Sequence, residues 1–366
     1  MKGQFQVIDT TRHVIEPVDL WDTWLEEPFK TQRPVKMDSS RVAMTVKGRP
    51  VSRNQTNFLA NPAYQKVYDD ASAADFSSQS HLADMDKEGV DVGILLPTAG
   101  LYAIWSDHID APLAAAMARA YNNYLADYCN ADTKRLKGIA LLPLQSVEES
   151  VKELRRAVKE LGFVAAFMRS NPVVHRLLHD TDYDPLYQEA LDLGVPIVIS
   201  EATGSVLPEL GTDRYPDDKF SHEAVSDTFE LWVAMMSFFG HNVLERFPGL
   251  KVGFLGAGAG WLPFWIERLE EHWGEIPFGN DCPSTLPPDY LFKQQGFAAS
   301  APWETSTPDV FEEVGDNVVV WGSQYPWPLL STFPNELDNF VGDSALTDEQ
   351  KKKVLWDNAA SIFHIE

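Results

Sequence analysis

Cysteine is nearly absent from this chain. Only Cys129 and Cys282 occur among its 366 residues, they lie far apart, and they do not have the spacing of a metal-binding pair. Small secreted domains that depend on disulfides carry many more cysteines. We therefore expect no disulfide framework, and a reducing compartment such as the cytoplasm is the natural location.

Long apolar runs are also missing. No uninterrupted stretch approaches the roughly 18 residues that a membrane-spanning helix needs. The first residues, Met1 to Gln4, lead into a short strand rather than into the apolar region of a signal peptide. The sequence therefore predicts neither a membrane segment nor a secretion signal.

Positive charge is the third deficit. The chain has 30 Lys and Arg against 54 Asp and Glu, a formal net charge of −24. Nucleic acids and anionic membrane surfaces are bound through clusters of Lys and Arg, so both classes of partner are not expected. A small anionic substrate is still compatible with this charge, because one arginine in a pocket can outweigh the overall field.

Apolar and aromatic residues, in contrast, are plentiful. Hydrophobic residues make up 44% of the chain and there are 11 tryptophans. So many tryptophans indicate an extensive contact surface, either between subunits or over a pocket. The length fits two ordinary domains or one large barrel.

Short apolar strands alternate with helical segments along most of the chain. The predicted strands are Phe5–Asp9, Val92–Leu96, Lys137–Leu142, Phe163–Met168, Pro196–Ser200, Lys251–Leu255, Leu291–Ser300 and Val318–Trp321. Their nearly continuous hydrophobicity is typical of parallel strands buried on both faces. Eight strands, and no glycine-rich phosphate loop after the first, favour an α/β (β/α)₈ TIM barrel over a doubly wound open sheet.

We expect the whole chain, residues 1–366, to form one barrel domain. Residues 17–80 are weakly periodic and polar, which predicts an irregular arm or insertion after strand 1. Residues 346–366 are predicted as a closing C-terminal helix, with Thr347 and Gln350 placed as a capping box.

Four segments in order resemble one known family. They are Asp84–Asp91 (DMDKEGVD), Asp182–Tyr187 (DYDPLY), Leu244–Pro248 (LERFP) and Gly258–Trp265 (GAGWLPFW). By these segments, the chain resembles the amidohydrolase-related family over essentially its whole length. The resemblance implies an amidohydrolase-like barrel, in a group of metal-dependent aromatic-acid decarboxylases and hydrolases that also includes some non-haem iron monooxygenases.

In such barrels the chemistry lies at the carboxyl ends of the strands. There the family implies a metal held by a His-x-His or Asp-x-His pair, further histidines and an aspartate. Residues that bind metal poorly or not at all stand at most of these positions: Thr11, Ser200, Gly256, Gln324 and Trp327. His13 and His222 are retained, and Asp227 stands where a second histidine belongs. We expect His222 to line the pocket with His13 and those five residues.

The resemblance therefore implies at most one weakly held divalent metal, on His13 and Asp227. Our main interpretation is a non-catalytic or weakly metal-binding companion subunit of a hetero-oligomeric monooxygenase similar to an α-aminoisobutyrate hydroxylase. A paralogous subunit of the same fold would then carry iron or manganese. The complex would act on a small carboxylate or amino acid.

Two alternatives stay open. One is a metal-independent hydrolase or decarboxylase acting on a small carboxylate, in which Arg169 would bind the carboxylate and His13 or Glu201 would act as acid or base. In a simpler interpretation Glu201 and Arg169 only form a salt bridge with each other. The other alternative is a binding protein without turnover.

Overall fold

The fold was analysed in a computed structural model. It describes residues 2–41, 43–52, 58–200, 210–211, 214–215, 219–275, 277, 282–327 and 332–366. Within these ranges, the model contains no helix with the length and apolarity required to cross a membrane.

Twelve strand segments are found in the part of the chain that the structure describes. They are β1 (Ile8–His13), β2 (Val35–Met37), β3 (Met44–Val46), β4 (Arg49–Pro50), β5 (Val92–Leu96), β6 (Leu136–Gly138), β7 (Ala140–Leu141), β8 (Ala166–Arg169), β9 (Ile197–Ser200), β10 (Val252–Phe254), β11 (Gly296–Ser300) and β12 (Val319–Trp321). Strands β1 and β5–β12 pair in parallel, in the orders β1-β5-β6 and β7-β8-β9-β10-β11-β12. Since β6 and β7 are two parts of one strand interrupted at Ile139, the wall has eight strands.

Hydrogen bonding closes this wall into a barrel. The Thr10 hydroxyl on β1 donates to the carbonyl oxygen of Trp321 at the end of β12, at 2.8 Å. The first and last strands are thus neighbours, which an open doubly wound sheet does not allow. The predicted TIM barrel is confirmed.

Helices alternate with the barrel strands. They are α1 (Leu20–Trp24), α2 (Phe29–Gln32), α3 (Pro62–Val67), α4 (Asp69–Ala73), α5 (Ser78–Glu88), α6 (Gly100–Ile104), α7 (Ala111–Cys129), α8 (Val147–Leu161), α9 (Asp184–Leu193), α10 (Lys219–Phe239), α11 (Val243–Arg246), α12 (Leu262–Gly274), α13 (Pro288–Gln295), α14 (Thr307–Val314), α15 (Glu336–Gly342), α16 (Asp348–Lys352) and α17 (Asn358–Phe363). A π-helical turn, Lys353–Asp357, joins α16 to α17.

The barrel strands are buried on both faces, as their composition predicts. Every residue of β5, β9 and β11 is buried. Gly253 on β10 allows a close approach, because a Cβ there would collide with the ring of Phe297 on β11. A large aromatic side chain can therefore pack directly against the neighbouring strand.

Most predicted strands have somewhat different bounds in the structure; Phe163–Met168, for example, is observed as Ala166–Arg169. The segment Leu291–Ser300 was predicted as one strand, but residues 291–295 belong to α13. Pro288 lies in the first turn of that helix, where a missing N–H costs nothing. The first strand begins at Ile8 rather than Phe5 and continues to His13, so Thr11 and His13 lie within it.

Residues 17–80, predicted as irregular, contain several short elements. An antiparallel sheet of β2, β3 and β4 lies here, together with α1 to α4. These elements are only two to six residues long, which is too short to give a periodic pattern in the sequence. Their role as an arm of the barrel stays a prediction.

The capping box at the start of α16 is confirmed. The Thr347 side chain accepts from the Gln350 backbone N–H at 3.2 Å, and the Gln350 side chain accepts from the Thr347 N–H at 2.9 Å. We expect Thr347→Ala to lower the free energy of unfolding by about 1 kcal/mol, because the Gln350 N–H in the first turn loses its side-chain acceptor. Guanidinium-induced unfolding measures this, with the exposed Ser344→Ala as control. Equal stability of the two variants would contradict it.

Candidate active site at the mouth of the barrel

His13 lies at the carboxyl end of β1, where barrel chemistry is expected. Its ring Nδ1 is 2.9 Å from the carbonyl oxygen of Pro97, which follows β5. A carbonyl can only accept, so Nδ1 carries the proton and Nε2 keeps its lone pair. The His13 backbone N–H also donates to the Tyr325 carbonyl oxygen at 2.6 Å, which fixes the main chain beneath the ring.

Burial keeps this imidazole neutral. Desolvation lowers the pKa of His13 to about 4, and the Pro97 carbonyl and the Asp9 carboxylate offset only part of that effect. The Trp327 ring lies 6.3 Å from the imidazole, centroid to centroid. His13 thus presents a neutral, oriented nitrogen base beside an aromatic surface.

The structure brings Thr11, Gly256 and Gln324 together, as the sequence predicts. The Thr11 hydroxyl accepts from the Gln324 backbone N–H at 3.0 Å, and the Gln324 side-chain amide donates to the Gly256 carbonyl oxygen. Gln324 has a φ of +60°, a conformation that few residues adopt without such support. Gln324 therefore links the Thr11 side chain, through its backbone, and the Gly256 backbone, through its side chain.

Asp9 fastens the first strand to the loop after the last one. Its carboxylate accepts from the Ser323 backbone N–H at 2.9 Å and from the Ser323 hydroxyl at 2.5 Å. It also accepts from the Thr11 N–H at 3.2 Å. All of these contacts are buried, so Asp9 acts in barrel closure and its oxygens are already occupied.

Among the residues that the structure describes, the donor set at the barrel mouth is poor for a catalytic divalent metal. Within the described ranges, no group of three His, Cys, Asp or Glu residues is arranged to hold one. His13 is an imidazole donor, but the hydroxyl of Thr11 and the amide of Gln324 are neutral, weak ligands. Asp227 is half-buried on α10, Ser200 ends β9, and their predicted metal and pocket roles stay predictions. We derive no chemical step through a metal.

Arg169 was predicted to bind a carboxylate of the substrate. In the structure its guanidinium donates hydrogen bonds to acceptors of the protein itself. Its guanidinium is buried and donates to the carbonyl oxygens of Asn171 at 3.2 Å, Trp105 at 2.5 Å and Pro172. Its carboxylate partner is Asp107, at 3.1 Å. Four of its five N–H donors are thus directed at protein acceptors, and its role as a carboxylate-binding residue stays a prediction.

Two predicted residues cannot be placed. Glu201 lies outside the described residues, and so does the side chain of His222, although its backbone belongs to α10. The predicted salt bridge between Glu201 and Arg169 is therefore untested.

Glu230 on α10 was missed by sequence reasoning. Its side chain accepts from the Leu210 N–H at 2.7 Å and hydrogen-bonds the Asn171 side chain, and burial raises its pKa. Together with Asp107 it surrounds Arg169 with negative charge. An acidic residue in the middle of an apolar helical segment was the signal that could have pointed to it.

The glycine-rich loop after β10 holds an internal carboxylate. Glu304 accepts from the backbone N–H groups of Ala259 and Gly260, at 2.7 to 3.0 Å. A Cβ at Gly258 or Gly260 would collide with or crowd this carboxylate. The Glu304 carboxylate thus occupies backbone N–H groups of the loop just before α12.

Comparison with known proteins gives the family and several relatives. The chain matches the amidohydrolase family over residues 8–365. A 2-amino-3-carboxymuconate-6-semialdehyde decarboxylase from Dictyostelium discoideum is 25% identical over 285 residues, which are 78% of this chain and 76% of the relative. A gamma-resorcylate decarboxylase from Polaromonas sp. (strain JS666) is 25% identical over 296 residues, 77% and 85% of the two chains.

A solved structure supports the fold. The dihydroxybenzoic acid decarboxylase from Polaromonas sp. JS666, with bound manganese and the inhibitor 2-nitroresorcinol, superposes with a TM-score of 0.71. The superposition covers 99% of this chain and 97% of that one at 19% sequence identity. This likeness shows that the two chains share the same barrel.

These findings correct the main interpretation of the sequence. The companion subunit of a monooxygenase complex is wrong, because the relatives are decarboxylases and fit the decarboxylase alternative better. The paralogous partner predicted with it stays a prediction. The family resemblance is confirmed, since the match spans nearly the whole length: the chain belongs to the amidohydrolase family.

Proposed function

We propose that this protein is a decarboxylase of hydroxylated aromatic carboxylates that works without a metal. The observation that carries the proposal is an oriented base at the barrel mouth, His13, whose Nε2 is left with a free lone pair by the Nδ1 bond to Pro97. Relatives of this chain act on gamma-resorcylate and on a carboxymuconate semialdehyde. The proposed substrate class follows gamma-resorcylate, a hydroxylated aromatic acid, since the carboxymuconate semialdehyde is an open-chain compound.

The reaction can be written with His13 as the only proton carrier. Nε2 takes the proton of a substrate hydroxyl ortho or para to the carboxylate, which makes the ring a phenolate and enriches the carbon that bears the carboxylate. The imidazolium then gives this proton to that carbon. The bond to the carboxylate breaks, its electron pair restores the aromatic ring, CO₂ leaves, and the product departs as the phenolate. A positioned acid and base of this kind contributes about 10² to 10⁴ in rate.

The surroundings favour loss of the carboxylate. Arg169, a candidate for an ion pair with the substrate carboxylate, instead pairs with Asp107 and donates to three carbonyl oxygens. A carboxylate that is bound weakly in the ground state has a lower activation free energy for loss of CO₂ than one that forms an ion pair with a guanidinium, because the ion pair must be broken as the charge is lost. The neutral side chains of Thr11 and Gln324 are consistent with such a site.

Turnover of a small panel of acids tests the proposal. The purified chain is incubated with 2,6-dihydroxybenzoate, with 5-carboxyvanillate and with benzoate, which has no hydroxyl group, and CO₂ release is measured. We expect decarboxylation of at least one hydroxylated acid, none of benzoate, and a rate that excess EDTA or added Mn²⁺ leaves unchanged. Binding without CO₂ release would support a pure binding protein instead, and activity abolished by EDTA would overturn the metal-free reaction.

A further inference from the structure

A second cavity lies at the opposite end of the barrel from His13. Its volume is about 510 Å³, and it is lined at the amino ends of four strands by Pro196 before β9, Lys251 before β10, Gly296 at the start of β11 and Val318 before β12. Cavities of roughly 300–1,000 Å³ are typical for small-molecule ligands. The volume therefore fits a ligand of one aromatic ring with substituents.

The charges around this cavity are unlike those of the chain as a whole. Lys251, Lys293 and His364 line it, and none of the lining residues that the structure describes is an aspartate or glutamate. In a chain of net charge −24 this is a local reversal. The charged side chains of the lining, taken alone, therefore favour an anion.

Lys251 is the lining residue with N–H groups left to donate to a ligand. One of its N–H groups donates to the Gln294 carbonyl oxygen at 2.6 Å, and among the described residues it has no carboxylate partner. Lys293, in contrast, pairs with Asp289 at 3.2 Å. Burial lowers the pKa of Lys251, and a bound anion would relieve that cost.

Helix ends limit how much negative charge the cavity can accept. The C-terminal ends of α9, α13 and α17 meet here, and each carries a partial negative charge of about half a unit. The Lys251 bond to Gln294 neutralises one of them. Since Leu191, Val195, Leu250 and Ile362 supply an apolar lining, a single charge on an apolar body fits better than a phosphate.

We propose that this cavity is a second binding site, for a small monoanionic organic acid with an apolar body. Lys251 binds the carboxylate, and the apolar side chains of the lining contact the rest of the ligand. The site is separate from the barrel mouth and goes beyond the proposed reaction, since binding here needs neither His13 nor turnover.

Calorimetry with benzoate tests the site through two matched lysines. Lys137 on β6 also lies at the amino end of a barrel strand and donates to a backbone carbonyl oxygen, that of Thr133 at 2.7 Å, but does not line the cavity. We expect Lys251→Met to weaken one benzoate-binding event at least tenfold, and Lys137→Met to leave it unchanged. The neutral benzamide should not bind this site in the unmodified protein.

Crystals soaked with 4-bromobenzoate locate the ligand independently of any variant. The expected result is an anomalous bromine peak inside the cavity between β9 and β12, on the side away from His13. Unchanged benzoate affinity in Lys251→Met, a bromine peak only at the barrel mouth, or a preference for inorganic phosphate over benzoate would each overturn the proposal. None of these results depends on CO₂ release, so the failure of this site and that of the proposed reaction are distinguishable.

Discussion

Replacing His13 by glutamine is expected to lower kcat for a hydroxylated aromatic acid at least a hundredfold. Glutamine can donate a hydrogen bond to the Pro97 carbonyl oxygen, but it has no nitrogen that takes up and returns a proton. Loss of a positioned acid–base group costs about 10² to 10⁴ in rate. KM should change much less than kcat, because the imidazole acts mainly in the transition state.

The matched control is His272→Gln. His272 is a half-exposed residue of α12 whose ring lies 3.1 Å from the Glu275 carboxylate. Its variant should keep full activity, and circular dichroism should show that both variants fold. If His13→Gln retained more than about a tenth of kcat, proton transfer by His13 would be ruled out.

Arg12 is expected to contribute most to stability among the charged residues of β1. Its guanidinium and the Asp9 carboxylate are fully buried and lie 3.2 Å apart. Arg12 Nε also donates to His81 Nε2 at 2.8 Å, and the guanidinium lies 3.9 Å above the Tyr325 ring. Arg12→Met should therefore lower the free energy of unfolding by about 3–5 kcal/mol, because Asp9 is left as an uncompensated buried charge.

Guanidinium-induced unfolding measures this loss against an exposed pair. Arg268 pairs with Glu271 at 2.6 Å, and both side chains are about half exposed. Arg268→Met should cost at most about 1 kcal/mol. Combining Arg12→Met with Asp9→Asn should recover part of the loss, since the stranded charge is removed. Equal stability of Arg12→Met and Arg268→Met would show that the buried pair contributes little.

The fold could be predicted because its signals are local. Continuous apolar strands followed by amphipathic helices define the barrel, and the largest errors in the strand boundaries lie near Ile8, Ala166 and Leu291. The clustering of Thr11, His13 and Gln324 also followed, because strand ends meet at one rim of a barrel.

The functions of individual side chains were harder to predict because they depend on distant partners. Nothing near Arg169 in the sequence shows that Trp105 and Asp107 occupy its guanidinium. Likewise, the Pro97 carbonyl that sets the His13 tautomer lies 84 residues away in the chain. Such contacts appear only when the chain is folded.

The hydrogen bonds between Asp9 and Ser323 also have a consequence for folding during synthesis. These residues are separated by 314 positions, yet they hold the first strand against the loop after the last. During synthesis the Asp9 carboxylate cannot bond Ser323 until nearly the whole chain has been made, although its partner Arg12 can contact Asp9 and His81 earlier. Contacts of such long range are slow to form. Barrel closure is therefore a late event. A nascent chain stalled before Ser323 would lack the hydrogen bonds that join β1 to the loop after β12.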